Sequence, residues 1–203
     1  WRPGLGVAAA PAAGLVAASL GLVALLADET FIKPRNTGES VSWSPYYKVT
    51  TYDRDEGETS SLMVRVNGIP HQRVTTAEAR ERQEPQYVTA YQRLVTNPLD
   101  NVLIVGAGTG TDVAIALRKG AQHVDAVEID PALLQLGRDR NPDHAYQDPR
   151  VSTHVDDGRA FLERSDKQWD RILLALPDSL TLVTGPASVR LESYLFTEEA
   201  IES

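Results

Sequence analysis

Two stretches decide the fold: Val102-Leu-Ile-Val-Gly-Ala-Gly-Thr-Gly-Thr-Asp112 and, further on, Val124-Asp-Ala-Val-Glu-Ile-Asp130. The apolar run 102–105 is typical of a short buried strand, and the alternating glycines after it permit a tight turn close to a ligand. The second stretch predicts a strand that ends in acidic residues. Together they indicate a nucleotide-binding βαβ unit in which Glu128 accepts the hydroxyl groups of a ribose.

The spacing of the glycines indicates which nucleotide is bound. A dinucleotide fingerprint has the form Gly-x-Gly-x-x-Gly, whereas Gly106, Gly108 and Gly110 are each two residues apart. This spacing favours a nucleoside without a pyrophosphate, either S-adenosylmethionine or its decarboxylated form, over NAD. We therefore predict that the turn, including Thr109, contacts the amino-acid or aminopropyl arm of such a nucleoside.

The composition is that of a folded, acidic protein. The 203 residues are 42% hydrophobic and 24% charged, and the formal net charge is -8. A negative balance argues against a nucleic acid as partner and is compatible with a cationic small molecule. The chain has no cysteine, which excludes disulfides and thiolate chemistry, and its four histidines lack a metal-ligand spacing, so we predict no metal.

The N-terminal region is strongly apolar. No charged side chain occurs between Leu5 and Ala27, and a helix of this length is long enough to cross a bilayer. We predict a transmembrane helix within residues 1–30; a signal sequence and a buried Ala-rich helix are the alternatives. Because the chain begins at Trp1, we expect it to be a fragment of a longer protein.

Residues 31–98 are predicted to contain a linker, a small antiparallel β unit and two helices. The β unit has too few residues for a core of its own, so we expect it to pack on its neighbours. Asn67-Gly68 is a typical hairpin turn, and residues 53–58 are predicted to form an acidic turn. The predicted strands are 46–52, 61–66 and 69–72, and the predicted helices are 76–84 and 86–95.

Residues 99–203 alternate between strands and helices, which predicts a parallel sheet covered by helices on both faces. The fold class is α/β, with a doubly wound, Rossmann-like sheet of the S-adenosylmethionine-dependent methyltransferase type. Four strands precede Ser203, so we expect a C-terminally truncated domain. The predicted elements are strands 102–105, 124–128, 151–154 and 170–174, and helices 111–119, 131–140 and 158–164.

Several blocks, in this order, resemble the spermidine synthase (polyamine aminopropyltransferase) family and, more closely, its membrane-attached bacterial branch. The resemblance covers approximately residues 43–203. The block Val127-Glu-Ile-Asp-Pro131 is the most specific of them. The others are Trp43-Ser-Pro-Tyr-Tyr-Lys48, Val66-Asn-Gly-Ile-Pro-His-Gln72, Val105-Gly-Ala-Gly-Thr-Gly110, Asp148-Pro-Arg-Val151 and Asp157-Gly-Arg-Ala-Phe-Leu162.

The resemblance implies roles on the nucleoside side of the site. Glu128 would bind the ribose hydroxyls and Asp157 would accept a hydrogen bond from the adenine amino group, with Ile129 and Gly158 beside them. An ionised carboxylate only accepts hydrogen bonds, so it can distinguish an amino group from a carbonyl. The alternative role for Asp157 is an N-cap of the helix that starts at Gly158.

The resemblance also implies a substrate mouth and a catalytic acid. Tyr87, Tyr91 and Gln92 would line the mouth, although helix packing is the alternative role of the tyrosines. Asp178 would be the catalytic residue. Independently of the resemblance, Arg190 could bind a carboxylate or phosphate of an acceptor, which would not suit a polyamine; a surface ion pair with Glu192 is the role that we favour.

Two positions depart from the family pattern. Ala175 stands where the family has the acid proposed as the base, and Thr109 stands where an acid would hold the aminopropyl ammonium. Asp112 is a possible substitute for the second acid. Three hypotheses follow: aminopropyl transfer from decarboxylated S-adenosylmethionine to an amine, methyl transfer from S-adenosylmethionine, and a non-catalytic nucleoside-binding module of a membrane protein.

The expected partners are a small-molecule amine acceptor and a lipid bilayer, with a homodimer left open. The expected location is the bacterial inner membrane, with the Rossmann-like domain in the cytoplasm.

Overall fold

The computed structural model describes residues 9–27, 38–56, 59–92 and 99–175 of the chain. In this part the chain forms an N-terminal helix, an antiparallel sheet, two short helices and a parallel α/β unit. The elements are α1 (Ala9–Ala27), β1 (Ser40–Trp43), β2 (Lys48–Glu56), β3 (Thr59–Val66), β4 (Ile69–Val74), α2 (Ala77–Gln83), α3 (Gln86–Gln92), β5 (Asn101–Val105), α4 (Thr111–Arg118), β6 (His123–Glu128), α5 (Pro131–Arg140), a 3-10 helix (Ala145–Gln147), β7 (Val151–Val155), α6 (Gly158–Arg164) and β8 (Arg171–Leu174).

The parallel sheet has the strand order β7-β6-β5-β8. The chain moves outward from β5 through β6 to β7 and then returns to the other side of β5 to form β8. This reversal leaves a crevice at the carboxyl ends of β5 and β8, which is where ligands bind in open α/β sheets. The Rossmann-like parallel sheet predicted from the sequence is confirmed.

Both faces of this sheet are covered, which explains the continuous apolar run of β5. Residues 102–105 are at most 3% exposed. Val102 and Ile104 belong to the cluster that includes the buried face of α4, whereas Leu103 and Val105 pack with the α6 side chains. Local signals place the helix starts: Asp130 caps α5 ahead of Pro131, and Asp157 caps α6.

The antiparallel sheet, of order β1-β2-β3-β4, packs on α5. Leu133 of α5 is buried in one cluster with apolar side chains of the sheet, including Val49 and Val64. At the rim, Arg140 of α5 forms an ion pair with Asp53 of β2 at 2.6 Å. The expectation that the small β unit packs on its neighbours is therefore confirmed.

Part of the predicted β unit was wrong. β1 was not predicted, because Val41 is the single large apolar residue before Trp43 in that strand. The predicted acidic turn at 53–58 begins in a strand, since β2 continues to Glu56 and Asp53 pairs with Leu62 of β3. Ladder pairing with β3 outweighs the low strand propensity of the acidic residues.

Helix α1 covers most of the apolar N-terminal segment. The large side chains within its residues 14–23 are exposed, among them Leu15 and Leu20. In the part of the chain that the structure describes, no helix meets the length and apolarity needed to cross a membrane. The predicted transmembrane helix is therefore not supported.

Candidate nucleoside-binding site

The glycine turn between β5 and α4 lies at the crevice beside the end of β6. Gly106, Gly108 and Gly110 all have positive φ, at 78°, 54° and 89°. The amides of Gly106 and Ala107 both donate to the carbonyl of Val127, at 2.9 and 3.0 Å. These bonds hold the turn against the last residues of β6, next to Glu128.

Glu128 lies against the glycine turn, as predicted. The amide of Gly108 donates to Glu128 Oε2 at 2.7 Å, and the amide of Asp130 donates to Oε1 at 2.9 Å. The side chain is buried, with 6% of Glu128 exposed. An ionised carboxylate has about four acceptor positions, so both oxygens retain capacity for ribose hydroxyls.

The environment of Glu128 sets its protonation. Burial raises the pKa of Glu128, and the hydrogen bonds from the Asp130 and Gly108 amides oppose that shift. Asp130 is itself fully buried, and its Oδ2 accepts a hydrogen bond from the hydroxyl of Ser44 at 2.6 Å. The loop between β1 and β2 is thereby joined to the strand end that carries Glu128.

Gln72 of β4 lies over the glycine turn, a contact that the sequence did not predict. Its Oε1 accepts from the Thr109 amide at 3.1 Å and from the Thr109 hydroxyl at 2.7 Å. Thr109 is only 1% exposed. The position where the family has an acid therefore carries a buried hydroxyl that is paired with a neutral amide. Asp112, in the first turn of α4, is the partly exposed acid nearest to this position in sequence.

Asp157 has the N-cap role considered for it, and its adenine contact stays a prediction. Its Oδ1 accepts the amide of Ala160 at 2.9 Å and caps α6, which begins at Gly158. Its Oδ2 has no hydrogen-bond partner in the described part of the chain and is available to a ligand. Asp156 instead accepts the Asp157 amide at 2.9 Å and pairs with Arg164, so its role is structural.

The predicted substrate residues of α3 pack against the protein. The ring centroid of Tyr91 lies 5.3 Å from the guanidinium carbon of Arg171. The ring centroid of Tyr87 lies 5.3 Å from the guanidinium carbon of Arg80. Burial raises the pKa of Tyr91, and the Asp112 carboxylate adds to the shift. These contacts favour helix packing for both tyrosines, and Gln92 is exposed at the end of α3.

Other predicted site residues are placed as follows. Ile129 directly follows β6 and is half-buried. Ala175, which stands where the family has the acid proposed as the base, lies at the mouth of the crevice. Its amide donates to the carbonyl of Val105 at 2.9 Å. Asp178 and Arg190 lie outside the described residues. Among the described residues, no three His, Asp or Glu side chains form a group able to hold a metal ion.

Fold and turn together define a class: a Rossmann-like α/β domain with a glycine turn and an acidic strand end at the topological switch point. The particular family follows from comparison with known sequences. The chain belongs to the spermine/spermidine synthase family, whose domain matches residues 88–202, more than half of the chain.

Curated relatives agree with this assignment. The chain is 35% identical over 89 residues to a polyamine aminopropyltransferase of Alkaliphilus metalliredigens, a match that covers 42% of this chain and 31% of that protein. It is 30% identical over 118 residues to spermidine synthase 1 of Hyoscyamus niger, covering 53% of this chain and 36% of that protein. The matches thus span about a third of the length of these relatives.

Solved structures share the fold. A spermidine synthase in complex with the transition-state analogue AdoDATO aligns with a TM-score of 0.59 at 18% identity, over 79% of this chain and 52% of that chain. The spermidine synthase of Thermotoga maritima aligns with a TM-score of 0.53, also at 18% identity, over 66% of this chain and 47% of that chain.

Proposed function

We propose that the protein binds decarboxylated S-adenosylmethionine and transfers its aminopropyl group to a small amine. The observation that carries this proposal is the hydrogen bond from the Gly108 amide to Glu128, because a carboxylate at the glycine turn is a suitable acceptor for ribose hydroxyls. Oδ2 of Asp157, the oxygen that does not cap α6, supports an adenine contact at the end of the neighbouring strand β7. Family membership supports the reaction class.

The reaction itself is a nucleophilic substitution. The amine nitrogen attacks the methylene carbon bonded to the sulfonium sulfur, and the C–N bond forms as the C–S bond breaks with its electron pair on sulfur. The products are neutral methylthioadenosine and an extended amine, whose nitrogen gives up a proton. A carboxylate acting as general base must accept the proton of the attacking amine, so that its nitrogen has a free electron pair. Ala175 has no acceptor for that proton, so we assign this role to Asp178.

The aminopropyl ammonium also needs a counter-charge. Thr109 and its partner Gln72 are neutral and hydrogen-bonded to each other. Asp112 is near enough to raise the pKa of both Tyr91 and Tyr146, the second of which lies against the glycine turn. We therefore assign the ammonium to the Asp112 carboxylate.

The full chain, incubated with decarboxylated S-adenosylmethionine and 1,4-diaminobutane, is expected to release methylthioadenosine. Asp178→Asn is expected to lower the rate by about a hundredfold or more, the effect usual for a general acid or base, while methylthioadenosine still binds in calorimetry. Nucleoside binding without turnover would favour the non-catalytic module and contradict the proposal. Consumption of S-adenosylmethionine instead would favour methyl transfer.

We also propose that the apolar N-terminal segment attaches the protein to the bacterial inner membrane, with the Rossmann-like domain in the cytoplasm. Support comes from the uncharged stretch between Leu5 and Ala27 and from the exposure of Val16, Leu22 and Val23 on α1. The full chain should sediment with the inner-membrane fraction, and a variant lacking residues 1–30 should not. Recovery of both in the supernatant would contradict the attachment.

A further inference from the structure

The carbonyl side of the glycine turn is held by two side chains that follow α5. The hydroxyl of Tyr146 lies 3.1 Å from the carbonyl oxygen of Ala107 and 2.8 Å from that of Gly108. The side-chain amide of Asn141 donates to the carbonyl of Thr109 at 2.9 Å. The one hydroxyl proton of Tyr146 is thus shared between the carbonyls of Ala107 and Gly108, and the Ala107 carbonyl also accepts the Gly110 amide at 2.9 Å.

Both donors are fixed in that role. Asn141 is 1% exposed, and its Oδ1 accepts the amide of Asp143 at 2.9 Å, which orients its Nδ2 toward Thr109. Tyr146 is buried as well, and burial raises its pKa well above the usual value, with the Glu128 and Asp112 carboxylates adding to the shift. The hydroxyl therefore keeps its proton at neutral pH and can act as a donor.

Peptide geometry connects these carbonyls to the ligand side of the turn. In a planar trans peptide the C=O and the next N–H point in opposite directions. The carbonyl of Ala107 shares its peptide with the Gly108 amide, which donates to Glu128. The carbonyl of Gly108 shares its peptide with the Thr109 amide, which donates to Gln72. Holding both carbonyls on one side therefore aims both amides at the other.

We propose that Tyr146, assisted by Asn141, is a positioning residue of the nucleoside site. By binding the carbonyls of Ala107 and Gly108 it directs the Gly108 amide at Glu128 and so sets the carboxylate for the ribose hydroxyls. This inference rests on the proposed function, because it assumes that Glu128 binds a ribose. Tyr146 does not touch the ligand and acts through the turn.

The test is calorimetry with methylthioadenosine as the probe, on the full chain and on Tyr146→Phe. The substitution keeps the ring and removes only the hydroxyl. We expect the Kd to rise about tenfold, the effect of losing one or two buried hydrogen bonds that orient a charged acceptor. The amide resonances of Gly108 and Thr109 in the free protein should shift with it.

A matched control is Tyr52→Phe, which removes a hydroxyl that accepts from Arg65 in the antiparallel sheet. It should leave both the Kd and the two amide resonances unchanged, even if the unfolding temperature falls. Should Tyr146→Phe fail to fold, Asn141→Asp removes the donor to Thr109 and is expected to weaken binding in the same direction.

The outcomes separate this inference from the proposed function. If the unaltered chain binds methylthioadenosine and the folded Tyr146→Phe variant binds it equally well with unshifted Gly108 and Thr109 amides, the positioning role is wrong. If the unaltered chain binds no nucleoside, the proposed function is wrong, and the inference that rests on it is overturned too.

Discussion

Replacing Glu128 by glutamine is expected to weaken the binding of methylthioadenosine at least tenfold. A charge-assisted hydrogen bond contributes about 1.5–3 kcal/mol, and a neutral amide offers a ribose only one accepting oxygen. The glutamine NH2 would also meet an N–H, because the amides of both Gly108 and Asp130 point at the present carboxylate. The loss therefore combines a weaker acceptor with a displaced glycine turn.

The same substitution predicts a change in pH dependence. Because burial raises the pKa of Glu128, its ionised form is lost at a higher pH than for an ordinary glutamate. Nucleoside affinity should be full above this raised pKa and should fall as the pH drops through it. In Glu128→Gln, the nucleoside affinity should not show this fall as the pH drops.

Glu163→Gln is a suitable control, since Glu163 is in an exposed i,i+4 pair with Arg159 on α6, and such pairs contribute little to stability. It should bind methylthioadenosine with the unaltered Kd. An unchanged Kd for Glu128→Gln across the same pH range would contradict the ribose assignment.

Replacing Gly137 by alanine is expected to destabilise the protein and weaken nucleoside binding. A Cβ at this position in α5 would lie 2.6 Å from the Tyr146 ring and 2.7 Å from the carbonyl oxygen of Thr109. Alanine in a helix interior is otherwise favoured over glycine by about 1 kcal/mol. Overpacking costs about 1–3 kcal/mol. The steric contact should therefore outweigh the gain in helix propensity and lower the free energy of unfolding.

Urea unfolding and calorimetry with methylthioadenosine measure the two effects of Gly137→Ala. The glycine turn must shift to accommodate the new methyl group, so the Kd should rise at least as much as for Glu128→Gln. Gly21→Ala in α1 is the matched control, because its Cβ would have no neighbour within 4 Å. If Gly137→Ala were as stable as the unaltered protein and bound the nucleoside normally, the close packing of α5 on the turn would be wrong.

The parallel α/β unit was predictable because its signals are local. Both α5 and α6 have the predicted bounds, 131–140 and 158–164, since an aspartate cap precedes each and the first also begins with proline. The strands β5 and β6 agree to within one residue, because their apolar runs are buried on both faces. The place of Glu128 beside the turn follows from the strand order.

The rest of the site depends on contacts between residues far apart in sequence. Gln72 and Thr109 are separated by 37 positions in the sequence. No local pattern predicts that the side-chain oxygen of Gln72 accepts hydrogen bonds from both the backbone amide and the hydroxyl of Thr109. The same holds for Tyr146, which follows the turn by almost 40 residues. Gly137 is a further example. In the sequence alone it is only a residue of low helix propensity within α5, and no local pattern shows that its missing Cβ leaves room for the glycine turn.

The departures at Thr109 and Ala175 alter the chemistry more than the fold. The hydroxyl of Thr109 is satisfied by Gln72, so the turn keeps its shape without the acid. The backbone of Ala175 continues the pairing of β8 with β5 through the carbonyl of Val105. Under the proposed function, the nucleoside site is retained and the charges for a cationic substrate come from Asp112 and Asp178.

The most direct test is the crystal structure of the full chain with methylthioadenosine. The account predicts that the ribose hydroxyls lie within hydrogen-bonding distance of the Glu128 carboxylate, about 2.5–3.0 Å, with the Gly108 amide still on that carboxylate. A nucleoside bound with its ribose out of reach of Glu128, or bound away from the turn at residues 106–110, would contradict it.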